Sequence, residues 1–352
     1  MTRKPTKELR RGWTTGACAT AAVKAALDAL WGGDFPDEVG LTLPKGETPV
    51  FVVAFTDHGD GWAEVGIIKD AGDDPDVTHG ALIRARVEMQ GVGVSFHAGD
   101  GVGSVTKPGL PIAVGEPAIN PKPREMMIAV VVEQAQKYAR NPDVSITITI
   151  PGGQEMATKT WNPRLGILGG LSVLGTTGIV RPYSCSAWIA SIHRGVDVAR
   201  ASGQDHVAGC TGSTSESTVQ TLYGLPDFAM LDMGDFAGGL LKYLRRNPVK
   251  RLTIGGGIGK MTKLAQGAMD LHSARSQVDV SRLNSWAQEG GLADVSKANT
   301  ALEAAQIAGI DLAEIVAAQA KIRVDEFLAS NCVTDIVVID RAGKVLARTA
   351  AA

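Results

Sequence analysis

The stretch that decides the fold class runs from Arg251 to Lys260 and reads Arg-Leu-Thr-Ile-Gly-Gly-Gly-Ile-Gly-Lys. Its opening residues predict a buried strand, and the glycines form a turn into a helix that we predict over Lys260–Met269. The same order recurs nearby, because predicted strands at His206–Cys210 and Ala229–Met233 are each followed by a predicted helix. Strands that alternate with helices favour a Rossmann-like α/β domain with a mostly parallel sheet.

The rest of the second half supports this pattern. A hairpin of Asp335–Asp340 and Lys344–Arg348 closes the chain. Helices are predicted over Cys185–Ala201, Ser217–Tyr223, Phe236–Arg246, Val295–Ala308 and Leu312–Ala320.

The first half has neighbouring strands instead and predicts an α+β domain. An alanine-rich helix runs from Ala17 to about Leu30, and a second helix runs from about Arg124 to Ala139. Thr78 predicts the cap of a further helix that ends at Glu88. Strands are predicted at Val39–Leu43, Pro49–Thr56, Trp62–Ile68, Val92–Phe96 and Val144–Ile150. We therefore expect two domains, residues 1–182 with glycine and proline loops and residues 183–352.

The composition limits the classes of protein to which the chain can belong. Lys and Arg number 35 against 37 Asp and Glu, so the net charge is −2. This balance argues against a broad nucleic-acid-binding surface. The apolar run near Met126–Val132 is far too short to span a bilayer, and no apolar segment follows the basic N-terminus. We expect a cytoplasmic protein with no nucleic-acid and no membrane partner. The cysteines and histidines lack metal-site spacing, so no protein-bound metal is predicted.

Polar and glycine residues follow three of the predicted strands, where open α/β sheets bind ligands. One loop holds Gly255, Gly256 and Gly259, and it fits neither a Walker A motif nor a Rossmann fingerprint. Its alternative interpretation is an ordinary turn. The other candidates are Gly209, Thr211, Gly212, Ser213, Asp232 and Asp235. Asp235 fits either a ribose contact or a helix cap equally well.

Five blocks in the same order resemble the cobalt-precorrin-5B C(1)-methyltransferase family, CbiD. The resemblance covers about residues 9–285. The blocks are Leu9–Ala19, Lys69–Gly80, Gly101–Leu110 with Gly115–Arg124, Asn162–Ile167 with Gly169–Val180, and Gly256–Leu264 with Leu271–Ser273. Each block is weak by itself, whereas five in sequence are specific.

The resemblance implies S-adenosylmethionine-dependent methyl transfer to carbon 1 of a corrin precursor, with or without cobalt, in cobalamin biosynthesis. We expect the macrocycle between the two halves, against the loops Lys69–Gly80 and Gly101–Leu110 of the first domain. The strand-end loops of the second domain are expected to hold the methyl donor. Alignment of the two reactants supplies much of the rate, so no nucleophile is assigned. The catalytic candidates are Lys69, Asp70 and His272. The candidates for contact with the carboxylate-rich substrate are Thr14, Thr15, Lys107, Arg124, Arg164, Lys260 and Lys263.

Two other functions stay open on the residues alone. One is a nucleotide-dependent, kinase-like enzyme acting on a small molecule, and the other is a non-catalytic tetrapyrrole-binding protein. Binding of the methyl donor distinguishes the three. A homodimer is expected only because symmetric dimers are common.

Overall fold

The computed structural model describes residues 9–329 and 332–349. The chain divides into two compact units, one up to Ser184 and the other from Cys185 onward. Each unit has its own hydrophobic core. In the part of the chain that the structure describes, no helix has both the length and the apolar composition needed to cross a membrane.

The first unit is built on a mixed sheet covered by helices. Its elements are β1 (Gly12–Trp13), α1 (Thr15–Gly32), β2 (Glu38–Gly40), β3 (Val50–Val52), β4 (Phe55–Gly59), β5 (Trp62–Ile68), β6 (Leu82–Met89), β7 (Val94–Ala98), β8 (Ser104–Val105), α2 (Pro121–Tyr138), β9 (Val144–Thr149), α3 (Gly153–Ala157), β10 (Ile167–Leu168) and β11 (Ile179–Val180). The main sheet has the order β4-β5-β6-β9-β7, and only the β7–β9 pair in it is parallel. The small buried side chains of α1 allow that helix to pack closely on β5, β6 and α2.

The predicted helix from Thr78 to Glu88 is wrong, because this segment forms strand β6. Ile83, Ala85 and Val87 are fully buried, while the residues between them lie on the opposite face of the sheet. This period of two is the pattern of a strand, and β6 pairs with both β5 and β9. Thr78 caps no helix, since its hydroxyl donates to Asp76 instead.

The second unit contains a largely parallel sheet. Its elements are α4 (Cys185–Ala201), β12 (His206–Cys210), α5 (Ser213–Tyr223), a short 3₁₀ helix (Asp227–Ala229), β13 (Met230–Leu231), α6 (Ala237–Arg246), β14 (Arg251–Gly257), α7 (Ile258–Ala265), α8 (Val280–Glu289), α9 (Ala301–Ala308), α10 (Asp311–Leu328), β15 (Val333–Ile339) and β16 (Val345–Arg348). The order is β13-β12-β14-β15-β16, and only β16 runs antiparallel. The closing hairpin is thereby confirmed. The predicted helix at Val295–Ala308 begins only at Ala301, and α8 was not predicted.

Helices cover both faces of this sheet. Val219 of α5 packs with Ala208 and Cys210 on one face. On the other face α4, α6, α7 and α10 surround Leu252 and Ile254. The chain leaves β12 toward β13 and leaves β14 toward β15, in opposite directions along the sheet. Ligands of open α/β sheets bind at such a reversal, beyond the carboxyl ends of the strands.

Candidate functional site

A cavity of about 750 Å³ lies where the chain direction reverses in the second unit. Much of its wall is formed by the loops after β12 and β15 and by the end of β14 with the start of α7. Segments before α8 and around the start of α9 complete it. The lining residues are Thr211–Ser215, Gly257–Lys260, Lys263, Gln277, Val278, Asn299–Leu302 and Ile339–Arg341.

Three helices begin at the wall of this cavity. Gly212 precedes α5 and Gly257 precedes α7, and neither helix has a side-chain cap. The third helix, α9, is capped by the Thr300 hydroxyl, which accepts from the Glu303 amide. The uncapped first turns of α5 and α7 carry amide groups and the positive ends of helix dipoles, which favour a negatively charged part of a ligand.

Two predicted substrate-binding lysines line the cavity. Lys260 Nζ lies 3.0 Å from Asp235 Oδ1 and donates to the Thr211 carbonyl at 2.9 Å. Lys263 is 8% exposed and donates to the Leu271 carbonyl at 3.0 Å. Burial lowers the pKa of Lys263, an effect that Asp235 opposes and Lys260 reinforces. The wall near α7 therefore carries two lysine side chains, of which Lys260 is ion-paired and Lys263 is buried.

The predicted cofactor glycines fall into two groups. A Cβ added to Gly209, Gly255 or Gly256 would lie within 2.7 Å of a neighbouring side chain, so these strand glycines permit close packing. A Cβ added to Gly212 or Gly259 would meet no heavy atom of the described residues within 4 Å. Gly212 and Gly259, together with Thr211 and Ser213, line the cavity.

The predicted acids and His272 lie outside the lining. Phe236, not Asp235, occupies the N-cap position of α6, so the cap interpretation of Asp235 is wrong. Its carboxylate instead holds Lys260 in place. The main-chain carbonyl of Asp232 accepts from Trp188 Nε1 at 2.9 Å. His272 Nδ1 accepts from the Ala274 amide at 3.2 Å.

Several lining residues were not predicted, including Gln277, Asn299, Thr300 and Arg341. Arg341 had a detectable signal, because it follows directly after a predicted strand whose carboxyl end meets this edge of the sheet. The segments that contain Gln277 and Asn299 carry no such sequence signal, since only the packing of distant parts of the chain brings them to the cavity.

In the first unit, the catalytic candidates Lys69 and Asp70 are both ion-paired. The buried Lys69 ammonium contacts Asp76 and donates to Thr78 Oγ1 at 2.7 Å. Arg10 forms a two-point pair with the Asp70 carboxylate. The hydrogen bond from Arg10 holds the pKa of Asp70 below its usual value.

The acidic run as a whole holds the ends of the first unit together. The Arg10 amide donates to Asp73 at 2.7 Å, and the Tyr183 amide donates to Asp74 at 2.8 Å. Within residues 9–329 and 332–349, no three His, Cys, Asp or Glu side chains form a group that could hold a metal ion. The carboxylates thus have structural partners within the protein.

Thr14 and Thr15 lie at the start of α1, against a second glycine-rich segment. The Thr14 hydroxyl accepts from the Ala17 amide at 3.2 Å, and the Thr14 amide donates to the Gly178 carbonyl at 2.9 Å. Gly175 has a φ of 135°, and a Cβ there would lie 2.2 Å from Thr14 Oγ1. The glycine is therefore required for this contact.

The remaining cationic candidates are Arg124 in the first turn of α2 and two residues, Lys107 and Arg164, in the loops after β8 and before β10. Arg124 donates to the carbonyls of Ile119 and Pro117 and pairs with Glu116. Lys107 packs its aliphatic chain beside Gly166, where an added Cβ would lie 2.5 Å from Lys107 Cγ. The Arg164 guanidinium lies 5.1 Å from the Trp161 ring centroid. Lys107 and Arg164 thus flank the antiparallel β8–β10 pair.

Comparisons with known proteins identify the family. The family model described as CbiD matches residues 2–182, and the model described as CbiD, C-terminal domain, matches residues 270–350. A relative from Brucella anthropi, named cobalt-precorrin-5B C(1)-methyltransferase, is 60% identical over 97% of this chain and 96% of its own. The chain belongs to the CbiD family. This confirms the resemblance drawn from the five sequence blocks.

Two further proteins resemble this chain to different degrees. A relative with the same name from Brucella canis is 58% identical over 97% of this chain and 96% of its own. A solved structure of the cobalamin biosynthesis protein CbiD from Archaeoglobus fulgidus is 26% identical, covers 80% of this chain and 85% of its own, and has a TM-score of 0.42. The C-terminal CbiD model includes the cavity residues from Gln277 to Arg341.

Proposed function

We propose that this CbiD protein transfers a methyl group to carbon 1 of cobalt-precorrin-5B in cobalamin biosynthesis. The observation that carries the proposal is the 60% identity, along 97% of the chain, to a relative named for that reaction. The relative's name favours this function over a kinase-like enzyme or a tetrapyrrole carrier.

We further propose S-adenosylmethionine as the methyl donor and the cavity of the Rossmann-like second unit as its site. The donor supplies an electrophilic sulfonium methyl group, so the protein has to bind, orient and exclude water. A volume of about 750 Å³ lies within the range of small-molecule sites. Val278, Leu302 and Ile339 offer apolar contacts for an adenine ring, and the hydroxyls of Thr211 and Ser213 offer polar ones. The residues present therefore fit this donor.

For the macrocycle we propose the loops of the first unit that carry Lys107 and Arg164. Thr14 and Thr15, in the family's opening block, are proposed as further contacts. Carboxylate side arms of a corrin precursor pair well with lysine and arginine. Lys69 has a fully buried side chain, so its proposed role is to position the acidic run rather than to touch substrate.

The test is a reaction of the purified full chain with cobalt-precorrin-5B and S-adenosylmethionine that carries an isotopically labelled methyl group. We expect S-adenosylhomocysteine to form in step with a labelled corrinoid, and NMR to place the label on carbon 1. Macrocycle binding without transfer would instead support the carrier function. Consumption of ATP with phosphorylation of a small molecule would support the kinase-like one.

A further inference from the structure

The cavity lining contains three cationic side chains, and two of them are already engaged. Lys260 pairs with Asp235 and donates to Thr211, and Lys263 donates to Leu271. The third is Arg341. Among residues 9–329 and 332–349, the Arg341 guanidinium has no hydrogen-bonding, ion-pair or ring partner.

The backbone that carries Arg341 is held firmly beside the cavity. Asp340 Oδ1 accepts from the amides of Ala342 and Lys344, at 2.8 and 2.9 Å, and this closes the turn between β15 and β16. The turn is also tied to α5, because Thr218 Oγ1 donates to the Gly343 carbonyl at 3.0 Å. Arg341 is therefore presented from a fixed turn.

The surroundings of Arg341 favour a negatively charged ligand group. Its turn packs alongside the first turns of α5, since a Cβ on Gly343 would lie 3.3 Å from Thr214 Cγ2. Among the lining residues only Asp340 carries a carboxylate, against the three cationic side chains, and two amides of the turn donate to its Oδ1. An anion that binds between a guanidinium and the positive end of a helix interacts favourably with both.

We propose that Arg341 binds the carboxylate of the methionine part of the methyl donor. The proposal rests on the proposed function, which places S-adenosylmethionine in this cavity. Among the chemical groups of that donor, the carboxylate is the anionic one, and a guanidinium can contact both of its oxygens at once. The apolar side chains of Val278 and Leu302 then remain for the adenine ring.

Calorimetry with two ligands tests this pairing in the full chain. The ligands are S-adenosylmethionine and its decarboxylated form, which keeps the sulfonium, the ammonium and the adenosine. We expect Arg341→Ala to weaken S-adenosylmethionine binding about tenfold or more and to leave the decarboxylated ligand unchanged. The preference of the wild type for the carboxylated ligand should disappear.

Lys344→Ala is the matched control, because it removes a positive charge from the same turn outside the cavity lining. It should change neither affinity by more than about twofold. Equal losses for both ligands in Arg341→Ala, or no loss for either, would overturn the pairing while leaving the donor site in place. Failure of the wild type to bind either ligand would overturn the donor site itself.

Discussion

Lys260, in the first turn of α7 after β14, donates at 2.9 Å to the main-chain carbonyl of Thr211 in the loop after β12. The same ammonium pairs with Asp235, after β13. One side chain therefore joins the carboxyl ends of three strands and also forms part of the cavity wall. This arrangement couples the stability of the second unit to the shape of its cavity.

Replacing Lys260 by Met should weaken both properties. The change leaves the Asp235 carboxylate, which is 23% exposed, without its cation, and we expect the free energy of unfolding to fall by about 1–2 kcal/mol. Affinity for S-adenosylmethionine should fall about tenfold. Urea denaturation and calorimetry measure the two effects.

Lys242→Met on the exposed side of α6 is the control and should leave both quantities unchanged. Adding Asp235→Asn to Lys260→Met should recover part of the lost stability, because the unpaired charge is removed. If the loss of unfolding free energy in the double variant equals the sum of the losses in the two single variants, Lys260 and Asp235 do not interact directly.

The two groups of glycines should respond differently to alanine. Gly255→Ala places a Cβ 2.6 Å from Val219 Cγ2, so we expect a clear drop in thermal midpoint. Gly259→Ala meets no atom within 4 Å and lies inside α7, so stability should be unchanged or rise by up to about 1 kcal/mol. When both variants are measured under conditions where they are folded, calorimetry should show weaker donor binding for Gly259→Ala and not for Gly255→Ala. Unchanged donor affinity in that variant would remove Gly259 from the proposed site.

The buried pair in the first unit should show an asymmetry between its two partners. The Lys69 side chain is 0% exposed and that of Asp76 is 26% exposed. Asp76→Asn leaves a buried ammonium without its anion and should cost about 3 kcal/mol of unfolding free energy. Lys69→Met leaves a carboxylate that water still reaches and should cost less. If urea denaturation gives the same loss of unfolding free energy for both variants, burial of Lys69 is not the main source of the cost.

His206 should make the second unit less stable in mild acid. Burial, assisted by the charge of Arg251, lowers the pKa of His206 to about 4, whereas an unfolded histidine titrates near 6.5. Between these values the unfolded chain binds the proton and the folded chain does not, so the free energy of unfolding decreases as the pH falls.

The measurement is the urea midpoint from about pH 7 to pH 4.5, which brackets this interval. His206→Gln should flatten the dependence that the wild type shows. His58→Gln, at the exposed strand β4 of the first unit, is the control and should leave the slope for the second unit unchanged. An equal slope in His206→Gln and the wild type would assign the acid sensitivity to other groups.

Much of the fold could be predicted from local pattern. The bounds of Trp62–Ile68, Cys185–Ala201 and His206–Cys210 agree with the structure, because strong periodicity and clear boundaries coincide there. The incorrect helix before Met89 depends on a plausible cap at Thr78, whereas the alternation of apolar residues in this segment is the pattern of the strand that forms. Thr78 in fact bonds to Lys69 and Asp76, within the acidic run.

The candidate site could be predicted only in part. Thr211, Gly212 and Ser213 were found because they follow a recognisable strand, and all three line the cavity. Gly209 and Gly255 have the same sequence signal, yet they face packed side chains. A glycine that permits packing and a glycine that borders a ligand site look the same along the chain, since the difference lies in what stands opposite.

The sequence by itself determined the family, the α+β and α/β character of the two halves and the strand ends that border the cavity, because all of these depend on the order of neighbouring residues. Only the tertiary structure decided that Gln277, Asn299 and Arg341 share one cavity with Lys260. It also decided that the acidic run has partners within the protein. Such contacts join residues far apart in the chain and arise from the packing of whole elements, which no local propensity encodes.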